Sequence, residues 1–422
     1  MLVGIDDTDS EKGMCTTYLA ALLCEELGVS GYPKLIRLNP NIPYKTRGNG
    51  AIAFEVAGDA EKIKETVLSA VERYAQFREK KTNPGVAFMD KPKKKGLDVL
   101  DELYRGAVSR LVTIEEADEA ARNAGAQVYK FKNGRGIIGA LSAIGAKLPD
   151  PTYEIIAYRS HKKKEKKIDR ESVFRMDDAT YPDTFNNVDR KTGRILILPH
   201  GYDPVFCGIR GNSVEAVKKA WSMIKPLEDI ERTQIFVSNQ GTDAHLRKKR
   251  IGDVAPYDCA IIEGSVSREP RTIKGGHVFF RLKDETGGID CGAYKPTGEF
   301  RDVVRKLRTG DVLQVCGGIS KHPGTLNIEK IRILSLARAY EKNAPVCCGR
   351  NMTSAGKEKG YKCRKCGKRI RSCEQKEVRR DLLPGFYEVP PRAKRHLSMP
   401  LVRMGPKAKS SNGRSWDTRS LS

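Results

Sequence analysis

Three carboxylates emerge where a first strand ends: Gly4-Ile5-Asp6-Asp7-Thr8-Asp9-Ser10. Met1 to Ile5 has the apolar run of a short buried strand, which puts Asp6, Asp7 and Asp9 at its C-terminal end. Open α/β sheets bind ligands at that edge. Clustered oxygen ligands there suit magnesium, held through one or two carboxylates plus phosphate oxygens. Gly13-Met14-Cys15-Thr16-Thr17 follows, just before a helical run, and the free N–H groups of a helix start suit an anion. The plainer alternative is a polar turn with Asp or Ser as a helix cap. Three aspartates within four positions, backed by two threonines, favour a site for magnesium and a nucleotide phosphate.

Lys45-Thr46-Arg47-Gly48-Asn49-Gly50 sets two cations beside two glycines. The glycines permit close backbone approach, and Lys45 and Arg47 can neutralise a triphosphate. The segment is not a Walker A loop, and by itself it is equally a basic hairpin turn. Beside the aspartates it supplies the other half of a site for ATP and magnesium. Leu198-Pro199-His200-Gly201-Tyr202-Asp203-Pro204 follows a further strand, and Gly208-Ile209-Arg210-Gly211-Asn212 then leads into a helix. Arg210 suits a phosphoryl group in transfer. Asp203 suits a cationic substrate or a metal. His200 is as much a structural histidine as an acid or base. Cys363-Arg364-Lys365-Cys366 is one half of a zinc ribbon, and Cys347-Cys348 stands where the other half belongs. Thiolates from both halves can surround tetrahedral zinc, with Cys373 a further candidate ligand.

These residues need elements to position them. Helices are expected over Thr17 to Leu27, Ala60 to Phe77, Ile114 to Ala124, Ile137 to Ala146 and Val214 to Ile224. Strands are expected over Lys34 to Leu38, Ala51 to Val56, Gly85 to Met89, Tyr153 to Tyr158, Arg194 to Leu198 and Gln234 to Ser238. The mixture makes an α+β body out of residues 1–255. Five strand-like runs follow, over Ala260 to Val266, His277 to Leu282, Gly288 to Ala293, Val312 to Ile319 and Asn327 to Leu334. A helix at Phe300 to Leu307 separates the third from the fourth, the layout of an OB-fold barrel that binds single strands in a basic groove. With 77 lysines and arginines against 53 acidic residues, the 422-residue chain carries a formal charge of +24, which implies a polyanionic partner such as a nucleic acid. Residues 342–422 hold 21 of the cations and 6 of the acids, so more than half of the excess lies in the last fifth. The tail after Met404 has the polar, basic composition of a disordered segment. No run of ~18 apolar residues could span a membrane. The start lacks a signal peptide's basic region, and the eleven scattered cysteines fit reduced cytoplasmic thiols.

Gly4 to Ser10 with Gly13 to Tyr18, Arg37 to Ala51, Pro199 to Val205 with Gly208 to Gly211, Ser238 to Leu246, Ser354 to Lys357 and Val389 to Ala393 together resemble the archaeal TiaS family. That family joins agmatine to an isoleucine tRNA. The resemblance implies a kinase-like α/β catalytic domain interleaved with a ferredoxin-like domain (1–255), an OB-fold (256–340), a zinc ribbon (341–375) and a basic C-terminal segment (376–422). It implies ATP, magnesium and zinc as cofactors, agmatine and the CAU-anticodon isoleucine tRNA as partners, and a cytoplasmic enzyme. ATP would phosphorylate O2 of the wobble cytidine, and the amine of agmatine would then displace phosphate from C2. On this basis Asp6, Asp7 and Asp9 hold magnesium, and Thr16 is the position phosphorylated in the family. Lys45, Arg47, Gly48, Asn49, Gly50 and Arg210 handle ATP phosphates. Asp203 and Asp178 are the candidates for agmatine, and Cys347, Cys348, Cys363 and Cys366 for zinc. Where the family has Cys-x-x-Cys, this chain has Val346-Cys347-Cys348, which shifts or removes the first ligand. Alternatives are another amine–tRNA ligase or a non-catalytic single-strand-binding protein.

Overall fold

The computed structural model describes residues 1–45, 48–160, 165–321, 324–356 and 359–408. The chain opens with β1 (Leu2–Asp6), α1 (Thr16–Glu26), β2 (Lys34–Arg37), β3 (Gly50–Glu55), α2 (Ala60–Tyr74), β4 (Gly85–Met89), α3 (Lys94–Ser109), α4 (Ile114–Ala124), β5 (Gln127–Lys130) and α5 (Ile137–Gly145). It continues through β6 (Thr152–Tyr158), α6 (Arg170–Thr180), the hairpin β7 (Val188–Asp189) and β8 (Arg194–Ile195), β9 (Val205–Gly211), α7 (Val214–Met223) and β10 (Arg232–Ser238). Eight of these strands form one sheet in the order β5-β4-β1-β3-β2-β10-β6-β9. β2 and β10 join its two halves as a parallel pair, with Lys34 opposite Val237 and Leu35 opposite Ser238.

Side chains alternate across this sheet as the two-residue period of a strand requires. Val3, Ile5, Leu35 and Ile52 face the core under α1 and α2, while Ile36, Ala51, Ala53 and Ala87 face α3, α4 and α5. In β6, Ile156 and Tyr158 join the first of these cores, and Ile155 and Ala157 pack with Val173 of α6 and Val217 of α7. All nine residues of α5 are buried, so this helix is apolar all round. Gly4 lets it lie against β1, since a Cβ there would overlap the Ala140 carbonyl.

Next come β11 (Arg247–Lys248), β12 (Cys259–Thr272), β13 (Val278–Lys283), β14 (Gly288–Ala293), α8 (Phe300–Arg305), β15 (Val312–Ile319) and β16 (Thr325–Ser335). β12 pairs with both β13 and β15, and β14 with β16, which closes the barrel. Its core includes Ile262, Phe280, Leu282, Val315 and Ile331. The expected five strands and intervening helix are all present. Ala339–Asn343 and Glu374–Val378 then pair antiparallel and lead to and from a small ribbon of two-residue strands. Gly385–Glu388 adds to β16, after which the chain returns across the N-terminal half: the N–H groups of Gly241 and Asp243 donate to the carbonyls of His396 and Leu397, each at 2.8 Å. Beyond Met404 the chain continues as 3-10 turns to Ala408, and the rest of the tail, residues 409–422, lies outside those described.

Some expectations shift. Of Arg194 to Leu198 only Arg194–Ile195 pairs as strand. Gly208 to Gly211 is the end of β9 rather than only the lead-in to α7. Helices α3 and α6 and strand β5 are additional. In α3 the apolar period stands at Leu97, Leu100, Leu103, Tyr104, Ala107 and Val108, but three consecutive lysines open it at the positive end of the helix dipole, where helices usually carry acids.

Candidate active site

The C-terminal end of β1 opens into a cleft. Asp6, Asp7, Asp9, Thr16, Lys45, Gly48, Asn49 and Gly50 all line it, so eight of the expected residues meet in one place. Arg47 lies outside the described residues. Asp6 is buried over the first turn of α5, where glycine at 139 makes room; a Cβ there would overlap Asp6 Oδ2. Burial, then Asp7, pushes the Asp6 carboxyl well above its usual range, and Asp9 adds to this. The N–H of Asp7 donates to Asp6 Oδ1 at 2.7 Å and opposes the shift. A buried carboxylate crowded by two others is a group that a divalent cation would stabilise. Asp7 itself has a left-handed φ of 58° and accepts from the N–H of Asn83 at 2.9 Å. Asp and Asn tolerate that conformation better than most residues. Helix α1 begins here with Cys15 at its N-cap and no side-chain cap. The hydroxyl of Thr16 accepts from that of Thr8 at 3.1 Å.

The opposite wall was not legible from spacing. Arg37, at the end of β2, and Arg135, before α5, also line the cleft. Arg135 stacks 4.3 Å over the ring of the exposed Tyr44. Glu154 on β6 is buried between two guanidiniums: Arg210 Nε donates to it at 3.2 Å, and Arg37 lies 3.7 Å away. Glu154 and Arg210 are cross-strand partners, which fixes their meeting. Gln240 donates to Glu154 at 2.6 Å, and its carbonyl accepts from Arg37 Nε at 3.3 Å and from His396 Nδ1 at 3.0 Å. Burial lowers the His396 ring well below its usual range, as do Arg37, Arg210 and Lys45 around it, so it stays neutral. Arg210 thus connects through Glu154 to Arg37, which lines the cleft, and does not itself line it. Apart from Arg210, which its Gly-Ile-Arg-Gly setting singles out, these residues come from separate elements, and spacing alone does not bring them together. The nearest signal is Gly134-Arg135-Gly136 ahead of an apolar helix.

The two proposed amine ligands also stand outside this lining. Asp203 is buried, with Lys166 at 3.7 Å, and the exposed Asp178 pairs with Arg190 at 2.6 Å. His200 accepts from Arg194 at 2.8 Å.

In the ribbon, the sulfurs of Cys347, Cys348, Cys363 and Cys366 all lie within 4.8 Å of one another. Zinc with Zn–S bonds of ~2.3 Å places tetrahedral sulfurs about 3.8 Å apart. Cys347 Sγ is 3.9 Å from that of Cys348 and 3.5 Å from that of Cys366, so the donor set fits zinc. Adjacent cysteines manage this because Cys348 and Gly349 have φ of 53° and 74°. They form the two-residue turn between Val346–Cys347 and Arg350–Asn351, and left-handed residues at both centres are the type I′ pattern. Cys373 is not in the cluster.

The chain matches family models for the TiaS TCKD domain over residues 2–133, the TiaS FLD domain over 134–245, an OB-fold nucleic acid binding domain over 260–334 and the TiaS C-terminal zinc ribbon domain over 344–382. It is 46% identical over 417 residues to TiaS of Methanocaldococcus jannaschii, a 2-agmatinylcytidine synthetase acting on an isoleucine tRNA, covering 95% of this chain and 98% of that one. Among solved structures, a complex of TiaS with its isoleucine tRNA and ATP superposes with a TM-score of 0.88 at 43% identity, covering 97% of this chain and 98% of the other. A complex of TiaS with the same kind of tRNA, AMPCPP and agmatine gives 0.85 at 41% identity, with coverage of 97% and 98%.

Proposed function

The chain belongs to the TiaS family, and on that premise we propose that it uses ATP to join agmatine to C2 of the wobble cytidine of the CAU-anticodon isoleucine tRNA. The observation that carries this is the meeting of Asp6, Asp7 and Asp9 with Thr16 and the Lys45 loop in one cleft. A carbonyl oxygen at C2 is a poor leaving group. Transfer of a phosphoryl group from ATP to O2 breaks a phosphoanhydride bond and forms a phosphate ester. The amine nitrogen then bonds to C2, the C2–O bond breaks, inorganic phosphate departs, and the amine proton passes to a base. Asp6, Asp7 and Asp9 would hold magnesium, which would neutralise phosphate charge, and one of them would take that proton. Lys45, Arg47 and the backbone of Gly48, Asn49 and Gly50 cradle the phosphates, with Arg37 beside them. Arg210 acts at one remove, through Glu154. Thr16 lines the same cleft, which supports the phosphorylated threonine that the resemblance implies.

The wobble base must leave its stack to enter the cleft. The barrel and a zinc ribbon held by Cys347, Cys348, Cys363 and Cys366 carry tRNA affinity, and Tyr44 offers an exposed ring at the mouth. For agmatine, Asp203 and Asp178 are the candidate carboxylates; each already faces a cation and stands outside the cleft lining. Among the described residues no helix is long and apolar enough to cross a membrane, and we place the enzyme in the cytoplasm with its tRNA. The test is nucleoside mass spectrometry of unmodified tRNA after incubation with the protein, ATP, magnesium and agmatine. A cytidine heavier by agmatine minus water, absent without ATP, is the expected product. If tRNA binds and no amine in a panel reacts, the catalytic reading gives way to a single-strand-binding protein.

A further inference from the structure

The loop that carries Lys45 is held from the barrel side. Asn39 is fully buried, and its Nδ2 donates to the Tyr257 carbonyl at 2.9 Å. The N–H of Asn41 donates to Asn39 Oδ1 at 2.8 Å. Asn41 Nδ2 in turn reaches the Asp258 carbonyl at 3.3 Å and Cys259 Sγ at 3.1 Å. Cys259 begins β12, and its cross-strand partner on β15 is Gly318. A Cβ at Gly318 would overlap the Asn41 amide, so the side chain sits in a seat that exists because position 318 is glycine. From the returning C-terminal segment, Arg395 donates to Asn41 Oδ1. On the cleft side, Asn49 Nδ2 donates to the Asn39 carbonyl at 2.9 Å, and Lys45 Nζ donates to the Pro40 carbonyl. The same loop therefore grips the barrel with one end and presents Lys45, Gly48 and Asn49 to the cleft with the other.

We propose that Asn41 is a positioning residue: seated between β12 and β15 at Gly318 and Cys259, it fixes the geometry of the phosphate loop, so that the OB-fold barrel sets the ATP site. This rests on the reading of the cleft as the ATP site. Phosphoryl transfer depends on placement, and a displacement of 1 Å can cost on the order of 100-fold. A loop latched to the RNA-binding barrel would hold that placement only while barrel and catalytic body are docked.

Gly318→Ala tests this from outside the cleft. Gly318 has no left-handed φ, so the backbone accepts alanine and the added methyl meets the Asn41 side chain. The expected result is a KM for ATP raised about 10-fold or more, with tRNA affinity and Tm near those of the unaltered protein. Asn41→Ala should do the same, and Gly318→Ala should then add nothing, because the group it displaces is gone. Additive effects, or a loss of tRNA affinity as large as the change in KM, would mean barrel damage and overturn the latch. Lys45→Ala is the control. If it raises the KM for ATP and Gly318→Ala does not, the latch fails alone. If Lys45→Ala leaves the KM unchanged, the phosphate-loop reading fails and the latch falls with it.

Discussion

A carboxyl group at the buried end of a strand favours its proton, and Asp6 sits there beside two further aspartates. Its folded pKa lies above the unfolded one. The native state then binds more protons than the unfolded state in the range between them, and stability falls as pH rises through the folded pKa. Asp6→Asn removes that titration. In chelator, the variant should melt above the unaltered protein at about pH 8 and close to it at about pH 4, while turnover falls at least ~100-fold and tRNA binding persists. A melting difference that shrinks with rising pH, or retained turnover, would remove Asp6 from the metal assignment. At this scale the contiguous residues were readable: Asp6, Asp7, Asp9, Thr16, and Lys45 with Gly48 to Gly50. Arg37, Glu154, Gln240 and His396 were not, because a lone arginine ending a strand has no spacing partner nearby. The Ser238-Asn239-Gln240 segment stood out only through resemblance. In the fold it is a bracket: Asn239 Oδ1 accepts from the N–H of Arg37 at 2.8 Å and its Nδ2 donates to the Arg37 carbonyl at 2.9 Å, while Gln240 ties Arg37 to Glu154.

Among the elements, the type I′ turn at Cys348-Gly349 answers the question raised by the missing Cys-x-x-Cys. In extended backbone, neighbouring side chains point to opposite faces and do not readily share a metal; the turn brings them together. A left-handed Cys348 is uncommon and of order 1–3 kcal/mol in strain, and bound zinc more than offsets that. Cys348→Ser should lower zinc content well below one per chain by elemental analysis, with weaker tRNA binding. One retained zinc per chain would transfer the fourth position to another ligand, Cys373 first. The barrel was readable because apolar strand-like runs recur along it and Gly-Gly pairs mark the turns on either side of β13, although β12 and β16 run on past the expected bounds. The N-terminal sheet was readable only in pieces: helix and strand periods located most elements, but β9 ends in Gly-Ile-Arg-Gly, whose glycines hide a strand.

Across the whole molecule, charge and connectivity act together. The formal +24 and the basic last fifth predict tRNA binding that falls about 1,000-fold or more between 50 and 200 mM salt, as six or more phosphate contacts require. A filter-binding titration that proved flat in salt would place affinity in base contacts instead. The C-terminal segment is more than a basic arm: Arg403 pairs with Asp150 at 2.9 Å and Arg392 with Glu299 at 3.0 Å, so it fastens the barrel to the catalytic body. Composition could report the charge of this segment but not its anchorage. The parallel pairing of β2 with β10 bears on how the protein is made. On the ribosome, β2 emerges some 200 residues before β10. At ~5–20 residues per second its outer edge waits roughly 10–40 s for a partner. An unpaired strand edge invites association between nascent chains. The moment at which the two walls of the cleft are joined is also the moment at which this exposure ends, so a polypeptide stalled before Arg232 would hold a formed β1 and an open, adhesive sheet.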